Sequence, residues 1–337
     1  MDKRQQFKDF YKMFRESGDC DTAYPCMNYI ADRLELNKEQ RYWLTLLYGC
    51  TYSAPTAYYI LNEFPDFENV DENRLQRWWN DNKEKLLFQT DRAKVKNFDK
   101  FVAIFKSYKA LIGNNTQEVV FKNIVGYDKT ARYKNVYNFA INIYYFGRFS
   151  LFNYLEALHE LTGLDIEPDT LDFKEAHSCR DGMLYVLDIY ELNTEQVVER
   201  VGYAHLQQEL LSLRSELSTE YPDLDVNFWN IETCLCAFKK LFWGKRYLGY
   251  YIDRQQDEIS IMQHNVPEGV DWSILWDFRQ EFFNPYWLGE NNKWCGVRKM
   301  RLTQFKTTGS HFTYFETAPT LRFKYKVVFT TIGDVYE

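Results

Sequence analysis

The chain has 337 residues, 45% of them apolar and 26% charged, with a formal net charge of −7. That length supports one large domain or two ordinary ones. The lack of any run of about eighteen apolar residues excludes a spanning helix, and the acidic balance excludes a uniformly basic nucleic-acid binder. Seven cysteines, odd in number and scattered, argue against a disulfide framework. The charged opening MDKRQQFKDFYKMF has no apolar signal core and reads as a soluble intracellular protein.

Helical periodicity dominates in chain order. Residues 38–61 carry apolar and aromatic side chains at helical intervals around Pro55, which starts a new helix rather than sitting inside one. Residues 71–88 follow, with Asp71 or Asn73 as cap and Leu75, Trp78, Trp79, Leu86 and Leu87 as the apolar set. Residues 94–112 predict an amphipathic helix ending at Gly113, and 137–161 a long apolar one ending at Gly163. Residues 193–219 contain another, with Leu206, Leu210, Leu211 and Leu213 as its stripe. From 298 to 331 the pattern alternates, as in LRFKYKVVFTT, which predicts two or three antiparallel strands. The expected fold is mainly α with a small antiparallel β element at the C-terminus. Residues 1–290 form the helical catalytic domain and 291–337 a basic, β-rich extension.

Charge is locally uneven. Residues 92–109 hold six cations (Arg92, Lys94, Lys96, Lys100, Lys106, Lys109) against Asp99. Residues 298–326 hold seven (Arg298, Lys299, Arg301, Lys306, Arg322, Lys324, Lys326) against Glu316. Such patches can track a phosphate backbone, although solvated faces give the same count. Aromatics make up 18% of the chain, which suits base stacking and equally a large aromatic core.

The densest chemistry lies in residues 229–254, WNIETCLCAFKKLFWGKRYLGYYIDR. One helix is expected from an Asn230 cap to Gly244, and a second from near Lys245. Glu232, Cys236, Lys239, Lys240 and Trp243 share a face of the first. Arg246, Tyr250, Asp253 and Arg254 share a face of the second. The bland alternative is that Glu232–Lys239 and Asp253–Arg254 belong to interhelical salt bridges. Further candidates are Arg148 in FGRF, Arg92 in TDR, and Arg180-Asp181-Gly182, which reads as a turn before a helix able to grip phosphate. Tyr52, ahead of Pro55, could stack on a base. The five histidines show no metal spacing, and Cys234 and Cys236 form CxC without a second pair, so no metal and no cofactor are expected. The lack of a Gly-rich phosphate cradle argues against a kinase.

The segments RYWLTLLYGCTYSAPTAYYILNEFPDF, LLFQTDR, YYFGRFSLFNYLEAL, IETCLCAFKKLFWGKRYLGYYIDR and WSILWDFRQE together resemble the alpha-glutamyl/putrescinyl thymine pyrophosphorylase family, over residues 41–281. Members are encoded mainly by bacterial viruses. The resemblance implies a fold related to the helical DNA glycosylases and action in the host cytoplasm. It also implies an amine:DNA transferase: a free amino acid or a polyamine such as putrescine replaces the (pyro)phosphate on activated 5-hydroxymethyluracil in DNA. The glycosylase aspartate is missing, since 137–163 contains no Asp. Under this reading Arg246, Arg254, Lys239 and Arg148 bind the leaving phosphates. Glu232 or Asp253 orients and deprotonates the amine, and Tyr250 and Tyr52 frame the base. Arg180, Asp181 and Arg92 are further substrate contacts. A DNA glycosylase using Glu232 or Asp253, and a non-catalytic DNA-binding or virion-assembly protein, are the rival readings.

Overall fold

Caps, prolines and left-handed turns set where each helix starts and stops. The computed structural model of the protein describes residues 2–243, 245–283 and 288. Sixteen α-helices and no strand are found among the described residues, so the architecture is mainly helical as expected. The expected β element at 298–331 and the 291–337 extension lie outside the described residues. No helix among the described residues is long and apolar enough to cross a membrane.

The chain divides into two compact units. The first holds the residues up to Thr22, Pro168–Arg254 and the described residues from Arg279 on. The second holds Ala23–Glu167 and Gln255–Phe278.

In the second unit the Asn37–Gln40 capping box starts helix Lys38–Thr51. That helix stops at Tyr52, whose φ of 52° is left-handed. Helix Ala54–Glu63 restarts at once with Pro55 in its first turn, so the expected pair around Pro55 is present. Gly49 lets Lys38–Thr51 approach Arg148–Thr162, because a Cβ there would lie 3.2 Å from Phe146 and Tyr154. Trp43 and Trp79 are fully buried in the aromatic core.

Three expected helices are cut short or broken, each for a reason of tertiary structure or backbone geometry. The 71–88 helix is Glu72–Asn82. Beyond it Leu86 and Phe88 are buried and Leu87 is held by the Thr56 hydroxyl, so this stretch runs extended. The 94–112 helix is Ala93–Asn97 followed by Phe101–Ile112. Asp99 between them is left-handed (φ 53°), its carboxylate taken by Trp79 Nε1 at 3.1 Å and Lys83 Nζ at 2.6 Å. The 137–161 helix is Lys129–Ala140 and Arg148–Thr162, parted at left-handed Tyr145 (φ 63°) and at extended Gly147.

In the first unit, helix Lys3–Glu16 packs on Phe228–Phe242 through an edge-on Phe7–Phe238 contact at 5.2 Å. Arg4 ties it to helix Tyr203–Glu220 by ion pairs of 2.7 Å to both Glu209 and Glu216. Residues 193–219 contain the expected helix, Tyr203–Glu220, preceded by a short one, Thr194–Arg200, with Gly202 at φ 80° between them. Leu206, Leu210 and Leu213 are buried as expected, but Leu211 is 49% exposed because it falls off the stripe.

Helix His177–Val186 runs parallel to Phe228–Phe242. Three cross-contacts repeat at an offset of 58 residues: Ser178 to Cys236, Asp181 to Lys239 and Tyr185 to Trp243. Gly182 sits where the helices touch, and a Cβ there would lie 2.2 Å from the Leu235 carbonyl oxygen. Gly182→Ala therefore forces the pair apart. It is expected to cost about 1–3 kcal/mol or more, as overpacking does, read as a lowered Tm together with loss of the Trp243–Tyr185 contact.

Candidate functional site

The candidate residues fall in both units. In the second unit, Arg92 is buried in the short turn Thr90–Arg92, bonded to Asp91 at 3.0 and 3.1 Å and 5.9 Å from the Phe146 ring centre. Tyr52 is half-buried and lies against Tyr48 and Phe149 at ring distances of 5.5 and 5.7 Å. Arg148 is the half-buried first residue of its helix. The basic stretch 92–109 is not a free row of cations. Lys96 pairs with Glu84, Lys106 with Glu72, and Lys109 donates to the Val70 carbonyl, so acids distant in sequence answer the charge.

In the first unit, Phe228–Phe242 is capped by Asn227, not Asn230. Asn230 is buried one turn in, where its side-chain oxygen accepts from Arg15. The helix ends at Phe242, and the next begins at Tyr250, five residues later than expected. The cause is Asp19, fully buried, whose carboxylate accepts from the amides of Gly249 (2.7 Å), Tyr251 (2.8 Å) and Ile252 (3.0 Å). A carboxylate supplied from the N-terminal segment thus caps this helix and complements its dipole.

The two expected faces are consequently rearranged. Arg246 lies in the connection, its guanidinium 3.9 Å from the Tyr250 ring centre. Asp253 turns inward, 2% exposed, and accepts from the Tyr247 hydroxyl at 2.6 Å. Arg254 is half-buried in the first turns of Tyr250–Asn265. Lys239 is 3% exposed and pairs with Asp181 at 3.2 Å rather than with Glu232. Arg180 and Asp181 sit within helix His177–Val186, not in a turn before one.

One cluster survives this rearrangement. Glu232 accepts from Cys236 Sγ at 3.4 Å. Lys240, one turn beyond Cys236, is held below its ordinary range by burial, with Arg246 and Lys239 adding repulsion and Cys236 and Glu232 opposing it. Lys239, Lys240 and Arg246 thus form a group of cations within electrostatic reach of one another beside a carboxylate. Burial also pushes the Cys236 thiol up to about 12, with Glu232 contributing, so it is a neutral donor rather than a nucleophile.

The sequence reading missed Asp21. It is left-handed at φ 52°, accepts from Thr233 Oγ1 at 3.0 Å and from Cys20 Sγ at 3.3 Å, and is raised to about 7. Burial is the main cause and Glu232 adds to it, while Cys20, Thr233 and Arg15 pull the other way. Nothing in the local pattern around Asp21 marks it, because it meets Glu232 only through the packing of Lys3–Glu16 against Phe228–Phe242. Among the described residues, no group of three His, Cys, Asp or Glu side chains is placed to hold a metal.

The Asp21 shift has a stability consequence with a definite sign. Between the ordinary 3.8 and about 7 the folded protein keeps a proton that the unfolded chain releases. Stability from this group therefore falls as pH rises through that window and levels off above it. Asp21→Asn removes the effect, so the variant's Tm should fall less than the wild type's between about pH 5 and about pH 8. Parallel melting curves check this, and identical pH slopes would deny the shift.

Comparison with known proteins adds the family. A sequence model described as amino acid:DNA transferase matches residues 15–247. That span covers Glu232, Lys239, Lys240, Arg246, Arg180 and Asp181, whereas Tyr250, Asp253 and Arg254 lie beyond it. A protein of Salmonella phage ViI named "Serinyltransferase" is 26% identical over 294 residues, covering 80% of this chain and 71% of that protein. No solved structure matches.

Proposed function

Because the chain belongs to the amino acid:DNA transferase family, we propose that it joins the nitrogen of a free amino acid to the 5-methylene carbon of an activated 5-hydroxymethyluracil in DNA. The nitrogen of the neutral amine attacks that carbon. The carbon–oxygen bond to the phosphate or pyrophosphate ester breaks, and its electron pair leaves with the ester oxygen. The proton lost from nitrogen goes to a carboxylate. The products are a substituted thymine, (pyro)phosphate and one proton.

The observation that carries this reading is the cation group Lys239, Lys240 and Arg246 beside Glu232, inside the family-matched segment. The leaving oxygens gain negative charge as the bond breaks, and pre-organised cations stabilise that charge most where water is scarce. Lys240, Arg246 and Arg254 would receive the leaving group. Glu232 would take the proton that the nitrogen loses as the new carbon–nitrogen bond forms. Asp21, raised to about 7, would carry its proton below neutral pH and so limit a second negative charge there. The name of the Salmonella phage ViI protein supports an amino acid over a polyamine as donor. A viral DNA-modifying enzyme of this kind would work in the cytoplasm of an infected cell.

The direct test incubates the protein with DNA bearing pyrophosphorylated hydroxymethyluracil and a mixture of amino acids, followed by mass analysis of the nucleosides. A substituted thymidine with released pyrophosphate is expected. An abasic product would point to a glycosylase, and an unchanged nucleoside profile to a binding protein.

Two substitutions probe the assigned roles. Arg246→Ala should lose about 2–4 kcal/mol of barrier stabilisation, as removal of one pre-organised donor does, with the fold retained. Glu232→Gln should slow turnover by about a hundred- to ten-thousand-fold, and excess amine should not restore it. A Glu232→Gln protein that melts earlier yet turns over normally would assign Glu232 to structure alone.

A further inference from the structure

Helix His177–Val186, the start of Thr194–Arg200 and Trp243 line a cavity of about 400 Å³ within the first unit. Its walls include Arg180, Asp181, Tyr185, Tyr190, Thr194 and Trp243. We infer that this cavity binds the free α-amino acid, with the carboxylate on Arg180 and the amine toward Asp181 and Lys239. The inference rests on the transferase reading for the fate of the amino acid, but the site itself stands on its own geometry.

Arg180 is 3% exposed, yet no carboxylate is hydrogen-bonded to it. Its Nη2 reaches His177 Nδ1 at 2.8 Å and Thr194 Oγ1 at 3.1 Å, and Nη1 reaches only the Phe173 carbonyl at 3.5 Å. Nε has no hydrogen-bond partner, with the nearest Asp181 oxygen at 3.7 Å. The other Asp181 oxygen is taken by Lys239. Asp181, the one carboxylate paired with Arg180 among the described residues, is loosely placed at 3.7 Å and shared with Lys239, and a buried guanidinium so incompletely matched is costly unless a further anion completes it. A planar carboxylate is the anion that the guanidinium fork fits.

The charge balance then selects the form of the ligand. Arg180 and Lys239 against Asp181 leave one net positive charge at the cavity. An amino acid with a neutral amine carries one negative charge, so the cavity favours the nucleophilic form over the zwitterion. Asp181 can orient the amine N–H, while Lys239 beside it disfavours an added proton. The stacked Tyr185 and Tyr190 rings, 4.6 Å apart, and the apolar Leu184 and Val197 give a wall suited to a side chain. A polyanion such as pyrophosphate would find neither enough cations nor enough donors.

The test uses the full chain without DNA, titrated calorimetrically with glycine and serine, with their decarboxylated counterparts methylamine and ethanolamine, and with inorganic pyrophosphate. The amino acids should bind, and the decarboxylated amines should bind at least about tenfold more weakly. Arg180→Lys keeps the charge but loses the fork, and should weaken amino acid binding to a similar degree. Thr194→Trp, at an exposed rim position, should block binding, whereas Thr194→Val, which loses the same hydroxyl contact to Arg180 without filling the cavity, should bind far better. Equal binding of the amines, displacement of the amino acid by pyrophosphate, wild-type affinity in Thr194→Trp, or no amino acid binding at all would each overturn the site. A protein that binds amino acids in this way but modifies no DNA would keep the site and refute the reaction instead.

Discussion

The close approach at Gly182 governs the first unit. Two helices pack with a backbone carbonyl where a side chain would stand, so their register is fixed to within the width of one methyl group. That register brings Ser178, Asp181 and Tyr185 opposite Cys236, Lys239 and Trp243 in turn. A one-residue slide would leave Lys239 buried without its carboxylate, a cost of several kcal/mol for an uncompensated charge. The glycine and the buried ion pair therefore enforce the same geometry, one by sterics and the other by electrostatics. The cavity and the Glu232–Lys240 cluster both follow from it.

The N-terminal segment supplies the acids that the helices lack. Asp19 and Asp21, two residues apart, do opposite things because their surroundings differ. Asp19 faces three backbone amides at a helix start, where a carboxylate is stabilised by the aligned dipoles. Asp21 faces Glu232 and a buried thiol, where ionisation is penalised. One carboxylate organises a helix, and the other holds a proton near neutral pH beside the proposed base. Both effects need helix Lys3–Glu16 seated on its neighbours, which the Arg4 clamp on Glu209 and Glu216 secures.

Cations at the candidate site are largely buried rather than displayed. Lys239 and Arg180 are 3% exposed, and Lys240 is partly desolvated. Desolvated charge costs stability but acts at higher effective strength on a ligand than the same charge in water. An arrangement of that kind suits stabilising an anion at a defined place more than non-specific attraction to a polyanion. The stretch 92–109 shows the contrast: Lys96 and Lys106 pair with acids at partly or fully exposed positions, where such pairs contribute little.

Local rules determined much of this. The mainly helical character, the restart at Pro55, the Asp71 cap, the stop at Gly163 and most of the leucine stripe at 206–213 were legible, because each depends on residues within one or two turns. The family was legible from segment order, and with it the transferase class. Tertiary structure decided the rest. Periodicity ran 94–112 together because nothing local marks Asp99 as the acceptor for Trp79 and Lys83. It started the helix after Arg246 too early because the cap, Asp19, lies more than two hundred residues away in the chain. It read Arg180-Asp181-Gly182 as a turn because glycine usually breaks a helix, whereas here Gly182 is kept for close packing. The partners of Lys239, Arg180 and Glu232 were likewise invisible. A sequence states which charges a chain carries, but only packing decides which are buried together, and burial sets their strength.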